Sequence, residues 1–114
     1  MWNPFRSIIQ YFYIMANRCF LFAADSTTDM VCIDSDRVSE IEVTNATTVS
    51  INYGTNANGD GSIVLGVTSG KADDVVKELG RIVLQGVGVI TIADDVNSVY
   101  AVDGIEEVDS IAHS

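Results

Sequence analysis

The sequence predicts an α+β fold that is mostly β: a small, strongly bent antiparallel sheet or partly open barrel of five to seven strands with one central helix. Short apolar or alternating segments, separated by turn residues, recur along most of the chain. One later segment changes to a helical period. The chain has 114 residues, which is enough for one hydrophobic core and too few for two.

Residues 1–17 differ from the rest and are predicted to form an amphipathic helical extension. Asn3 and Pro4 suit the start of a helix. One helical face would carry large apolar side chains, namely Phe5, Ile8, Ile9, Phe12 and Tyr13. We expect this helix to pack on the domain or on a neighbouring subunit. A secretory signal is not expected, because Gln10 and Arg18 interrupt the apolar run.

Two further expectations concern the same segment. A membrane span is not predicted, since it requires about 20 consecutive apolar residues. Met15 is an alternative start of the protein, in which case residues 1–14 extend the reading frame. Residues 18–114 are predicted to form a single small barrel-like domain.

Apolar runs and alternation mark the strands of the first half. Residues 19–24 and 30–33 are short apolar runs on either side of polar turn residues. Residues 38–44 and 48–53 alternate between apolar and polar side chains. The turn between them contains Asn45 and Thr47, so these segments are predicted to form an antiparallel hairpin. The same turn matches a glycosylation sequon, which we interpret as a turn.

The middle of the chain contains a loop, a strand and the helix. Residues 54–61 are rich in glycine and asparagine and predict a loop, and residues 62–68 predict a strand. The helix, at about residues 70–85, shows its period in Ala72, Val75, Val76, Leu79, Ile82 and Val83. Gly80 lies inside it and is expected to permit close packing on the sheet.

The ends of this helix also carry signals. Ser69 or Gly70 is the expected N-cap. Asp73 and Asp74 suit the positive end of the helix dipole. Gly86 stands where a glycine commonly follows a helix.

The segments after the helix complete the sheet. Residues 87–92 and 99–102 predict strands separated by a turn at 94–98. Residues 104–111 fit either a short helical turn or an edge strand. One helix cannot cover both faces of such a sheet. Closure of the barrel, the N-terminal helix or another subunit is therefore needed.

Charge limits the classes of partner. Six basic and sixteen acidic residues give a net charge of −10, which disfavours broad binding to a phosphate backbone. Residues 1–18 contain two arginines and no acid, giving +2. The remainder carries four basic and sixteen acidic residues, giving −12.

The chain resembles two groups of small proteins, the first through residues 31–83 and the second through its overall plan. The order VCIDSDRVSEIEV, TTVSINYG and SIVLGVT, followed by a helix, resembles FlbD-type flagellar proteins and short phage-encoded proteins. An optional N-terminal helix followed by bent strands is similar to the Sm/LSm barrels, which form rings and bind RNA through loops. The chain departs from the Sm pattern, because it lacks the Arg-Gly pair and has a mid-chain helix. The acidic, Ser/Thr/Asp/Gly-rich composition resembles proteins of marine microbes and their phages.

Under the Sm-like interpretation, four basic residues are the candidate RNA contacts: Arg37, Lys71, Lys77 and Arg81. Lys77 and Arg81 lie one helical turn apart, whereas Lys71 lies outside that stripe. Three acidic residues share the helix, so a basic patch there is small.

Two polar or acidic segments have features of chemical sites. Residues 56–63 match the start of an EF-hand loop, but Val67 stands where the bidentate Glu belongs, so a hairpin loop is favoured. Asp94, Asp95 and the acids of residues 103–109 are interpreted as a solvated acidic face, because no third ligand or orienting group accompanies them. No catalytic, metal-binding or cofactor-binding residue is predicted.

Cys19 and Cys32 lie on neighbouring predicted strands. A two-residue turn would place them opposite each other, where they could form a disulfide. A five-residue turn would instead place Cys32 opposite Phe22, with both thiols reduced.

The predicted function is a non-enzymatic binding or assembly module that acts as a homo-oligomer, in a phage structural or accessory role. A mean hydropathy of +0.25 in so small a chain favours burial between subunits. The alternatives are an Sm-like RNA-binding ring and a small acidic enzyme or metal-binding domain. A cytoplasmic or virion-associated protein is expected, and a secreted one is not.

Overall fold

The computed structural model describes residues 19–56 and 59–113, so the predicted extension at 1–17 lies outside the described residues. The elements in chain order are β1 (Cys19–Ser26), β2 (Asp29–Asp34), a 3₁₀ helix (Ser35–Arg37), β3 (Val38–Asn45), β4 (Thr48–Asn56), β5 (Gly59–Val67), α1 (Ala72–Gln85), β6 (Gly88–Asp94), β7 (Val99–Tyr100) and β8 (Ile105–Ala112). Most described residues are in strands and one segment is an α-helix, which confirms the α+β, mostly β class.

The strands form two four-stranded sheets. The first has the order β2-β1-β6-β7 and the second the order β3-β4-β5-β8. The two sheets do not close into a barrel, and the eight strands of the described residues exceed the predicted five to seven. β1 and β6 are parallel, so the expectation of one antiparallel sheet is wrong. The reason is that the chain leaves the first sheet after β2, builds β3 to β5, and returns through α1.

The helix confirms the predicted segment and corrects three details. Lys71 is the N-cap and makes no capping bond through its side chain, so neither Ser69 nor Gly70 is the cap. Gly86 follows the helix in an extended conformation, where an ideal Cβ would lie 2.5 Å from the Ile82 carbonyl oxygen. An ideal Cβ at Gly80 meets no atom within 4 Å, so Gly80 does not provide close packing on a sheet.

The hydrophobic core lies between the two sheets and is covered by α1. Its largest fully buried side chains are Tyr53, Leu21, Ile51, Ile63, Leu65, Leu79 and Ile92. They come from both sheets and from the helix, so these elements share one core. Burial of this apolar surface is the main favourable term in folding.

The ambiguous segment at 104–111 is an edge strand, β8, which pairs with β5. Two irregularities in this pairing place an extra residue between successive inward positions. The inward residues Ile105, Val108 and Ile111 are therefore three apart. This spacing imitates one face of a helix and explains the ambiguity.

The two cysteines lie on opposite faces of the first sheet. Cys32 is opposite Phe22, as the longer turn predicts, and Cys19 is opposite Gly88 on β6. Both thiols are free, with Cys19 buried and Cys32 exposed.

Two predicted turns have different outcomes. At the sequon, the Asn45 side-chain oxygen accepts from the Thr47 backbone N–H at 2.9 Å, which confirms a turn. The predicted loop at 54–61 is largely the end of the β4–β5 hairpin, in which Tyr53 pairs with Gly61 and Asn56 with Gly59.

Candidate functional site

The surface feature best suited to a function is an unpaired stretch of strand β6. β1 pairs with β6 along one side, from Gly88 to Asp94. On the other side, β7 pairs only with Ala93 and Asp94. Across the described ranges, no strand pairs with residues 88–91 on this second side. Peptide groups that point to it are therefore available to another strand. We call residues 88–91 the open edge.

Exposed apolar side chains occur on the open edge and in the segment just before it. Leu84 is 72% exposed, Val89 68% and Val87 62%, the highest values among the exposed large apolar residues described. Leu84 is in the last turn of α1, Val87 precedes β6, and Val89 is within it. We call Leu84 and Val87 the apolar corner, whereas Val89 belongs to the open edge itself. Exposed apolar groups of this kind are typical of interaction surfaces when they lie together.

The open edge also lacks charge. No charged residue occurs between Gln85 and Asp94. The sequence shows this uncharged stretch directly. Only the sheet topology shows that no described strand pairs with one side of its strand.

Three of the four outer strands carry acidic residues instead. β2 begins with Asp29 and ends with Asp34, and β3 carries Glu40 and Glu42. β8 contains a further group of acids. Two copies of this chain that paired through any of these edges would bring like charges together, which is destabilising.

Three of the four candidate RNA contacts lie on α1 or its cap, and each has a carboxylate partner. Lys71 Nζ lies 2.7 Å from Asp103 Oδ2. This hydrogen bond raises the pKa of Lys71 and lowers that of Asp103. Lys77 Nζ lies 3.9 Å from an oxygen of Asp73.

The third of these contacts is Arg81, and the fourth candidate is Arg37. Arg81 forms an ion pair with Glu78, three residues before it in the helix. Arg37 lies on the exposed surface of the 3₁₀ helix. Three of the four candidate contacts are therefore paired with carboxylates, and RNA binding stays a prediction.

Asp94 has a structural role. It is buried, and its Oδ1 accepts from the backbone N–H groups of Val96 at 2.9 Å and Asn97 at 3.1 Å. Its Oδ2 accepts from the Asn97 side-chain amide at 2.9 Å. These bonds, the Asn97 amide foremost, hold the pKa of Asp94 below its usual value. The carboxylate closes the β6–β7 turn.

Asp95 joins this turn to β8. Its carboxylate accepts from the Tyr100 hydroxyl at 2.8 Å and, with both oxygens, from the Val108 N–H at 3.0 and 3.1 Å. The hydrogen bond to Asp95 raises the pKa of Tyr100. The interpretation of Asp94 and Asp95 as a solvated acidic face is therefore wrong, because both carboxylates are occupied in holding the fold.

A small acidic cleft of about 230 Å³ lies where β5 and β8 meet. Glu107 and Asp109 lie over Gly66, since an ideal Cβ there would be 3.0 Å and 3.2 Å from their respective carboxylate oxygens. A hydrogen bond with Asp109 and its charge raise the pKa of Glu107. Among the described residues, no three His, Cys, Asp or Glu side chains are arranged to hold a metal ion.

A shallow groove of about 420 Å³ lies between α1 and the segment before β8. Its lining includes Lys71, Asp74, Glu78, Ile82, Ala101, Val102 and Asp103. The Lys71–Asp103 ion pair takes up two of its charged groups.

Residues 57–58 of the EF-hand-like loop lie outside the described residues, so that match stays untested. None of the helices in the described part of the chain has the length and apolar character needed to cross a membrane. No protein-family profile, no curated protein and no solved structure matches this chain, and the Sm-like resemblance therefore stays a prediction.

Proposed function

We propose that this chain is a non-enzymatic assembly module, and that two copies associate by pairing their open edges at residues 88–91. The observation that carries the proposal is an uncharged, unpaired strand edge beside exposed apolar side chains in a chain of net charge −10.

Edge pairing would satisfy peptide groups that otherwise depend on water. The same edge on two copies, related by a twofold axis, pairs antiparallel and forms one continuous sheet across the dimer. Val89 would lose exposed apolar surface in that arrangement, which is favourable. Proteins commonly protect open edges with charge or a covering element. Residues 88–91 carry no charge, so a second copy supplies the cover.

The state of the acidic residues favours assembly over catalysis. Asp94 and Asp95 are committed to backbone and side-chain hydrogen bonds within the fold. A general acid or base must instead be free to exchange a proton with a substrate.

The test is the absolute mass of the full chain in solution, measured by light scattering behind a sizing column over a dilution series. We expect the wild type to form an oligomer that dissociates on dilution. Val89→Lys places a charge on the open edge of each copy, so that variant should be monomeric under conditions where the wild type is not. Circular dichroism checks that the variant is folded.

Val43→Lys is the matched control. Val43 is 46% exposed on β3, so the same substitution is made at an exposed valine of the other sheet. This variant should keep the wild-type mass. A wild type that is monomeric throughout, or an oligomer that Val43→Lys disrupts and Val89→Lys does not, contradicts the proposal.

A further inference from the structure

We infer that residues 1–17 dock on the same chain's apolar corner, against Leu84 and Val87. This inference does not rest on the proposed function, because the assembly edge is the side of β6 at residues 88–91. It concerns what covers the two most exposed apolar residues beside that edge.

The chain enters the fold next to this surface. Cys19, the first residue of β1, pairs with Gly88. Its thiol lies 3.6 Å from the Ile82 carbonyl oxygen in the last part of α1. An ideal Cβ at Gly86 would be 3.0 Å from the same sulfur. The residues before Cys19 therefore start beside the end of the helix.

The apolar corner provides a hydrophobic docking surface. Leu84 and Val87 are 72% and 62% exposed, whereas the neighbouring Ile82 and Val83 are partly buried in the core. A groove of about 200 Å³ lies along the last turns of α1 and is lined by Glu78, Arg81, Ile82, Gln85 and Gly86. An apolar side chain placed against Leu84 and Val87 would be removed from water together with them.

The N-terminal segment is the occupant that fits this surface. Its predicted apolar stripe ends at Phe12 and Tyr13, and the six residues from Tyr13 to Cys19 reach at most about 20 Å. Short tethers give effective concentrations of about millimolar, which favours the chain's own segment over a second copy at lower concentration. The segment's charge of +1, from Arg6, also complements the −11 of residues 18–114.

A tryptophan in the segment can report this docking in the full chain. Trp2 is the only tryptophan, so Trp2→Phe combined with Phe12→Trp moves the single indole to the end of the stripe nearest the fold. Its accessibility is measured by quenching with acrylamide, which is neutral and therefore insensitive to the charges introduced below. We expect the indole to be protected and its emission to be shifted to the blue.

Leu84→Lys is the test substitution in this reporter chain. Lysine and leucine have similar helix propensities, so α1 should keep its stability. Loss of the docking surface should raise the quenching constant about twofold, because the indole becomes exposed to water. Val96→Lys, at a residue that is 43% exposed in the β6–β7 turn, is the matched control and should leave quenching unchanged.

Three results would overturn the inference. The indole could be fully accessible before any substitution at position 84, or Leu84→Lys and Val96→Lys could have equal effects. Protection that disappears on dilution would instead place the segment on a second copy. Val89→Lys separates this inference from the proposed function, since it should abolish the oligomer while leaving the indole protected.

Discussion

The ring of Tyr53 on β4 lies directly over Gly61, its partner on β5. An ideal Cβ at Gly61 would be 2.3 Å from Tyr53 Cζ, well inside van der Waals contact. The ring is 1% exposed, and its hydroxyl donates to the Ala112 carbonyl oxygen at 3.1 Å. Burial raises the pKa of Tyr53. One side chain thus connects β4 across β5 to the end of β8, and only a glycine at position 61 leaves room for it.

We expect Gly61→Ala to destabilise the protein by about 1–3 kcal/mol, the usual cost of overpacking a core. The added methyl group forces the Tyr53 ring away from its buried position. The free energy of unfolding, from urea denaturation, measures the effect. Tyr53→Phe is the comparison, since it removes only the hydrogen bond to Ala112 and should cost about 1 kcal/mol. If Gly61→Ala costs no more than Tyr53→Phe, the ring is not fixed as described.

Gly80 and Gly86 should respond to alanine with opposite signs. An ideal Cβ at Gly80 meets nothing within 4 Å, so Gly80→Ala should stabilise α1 by about 0.5–1 kcal/mol through helix propensity. At Gly86 the same Cβ would lie 2.5 Å from the backbone oxygen of Ile82, which cannot easily move. Gly86→Ala should therefore destabilise. The Tm of each variant, measured by thermal unfolding, tests this prediction. An equal change in Tm for Gly80→Ala and Gly86→Ala would contradict the packing at the end of the helix.

Local pattern was sufficient for most of the elements. Alternation marks β3 and β4, and the helical period marks α1, because both patterns follow from which side chains face the core. The sequence pattern did not identify β8 as a strand, because its irregular pairing with β5 spaces the inward residues Ile105, Val108 and Ile111 by three. The parallel pairing of β1 with β6 was also beyond local pattern, because it joins segments far apart in the chain.

The candidate site likewise has some features that the sequence shows and others that only the structure shows. The absence of charge between Gln85 and Asp94 is visible in the sequence. That none of the described strands pairs with the second side of residues 88–91 depends on how short β7 is and where it pairs. The roles of Asp94 and Asp95 depend on hydrogen bonds that composition cannot show.

Glu107 should make the protein more stable in mildly acidic solution than at neutral pH. Its pKa is raised above 4.5 by Asp109, so the folded state holds a proton more tightly than the unfolded state. That contribution is fully present below 4.5 and is lost as the pH rises through the folded pKa. Glu107→Gln removes the repulsion and should raise Tm at neutral pH, with a gain that shrinks toward pH 4.5.

Asp109→Asn is the partner variant for this prediction. It removes the same repulsion from the other side, so it should give a similar gain at neutral pH. The double variant should gain less than the sum of the two, because each single substitution already relieves the pair. Additive gains would show that the two carboxylates do not interact. A gain for Glu107→Gln that grows as the pH falls would contradict the sign.

Asp94 should contribute stability that is lost in acid, which is the opposite of the pH dependence expected for Glu107. Its pKa is held below 3.8 by the Asn97 amide and the N–H groups of Asn97 and Val96. Stability from this carboxylate is therefore present above 3.8 and is lost as the pH falls through the lower folded pKa. Asp94→Ala should lower Tm by several degrees at neutral pH. The difference in Tm between this variant and the wild type should become smaller in acid. Thermal unfolding across an acidic pH series measures both effects.

Asn97→Ala isolates the largest cause of this shift. Without the side-chain amide, the pKa of Asp94 should rise, so acid unfolding should begin at a higher pH than in the wild type. Asp36→Asn is the control, because Asp36 is exposed in the 3₁₀ helix, and it should leave the acid transition where it is. An acid transition that moves equally in both variants would mean that the bonds to Asp94 do not set the acid stability.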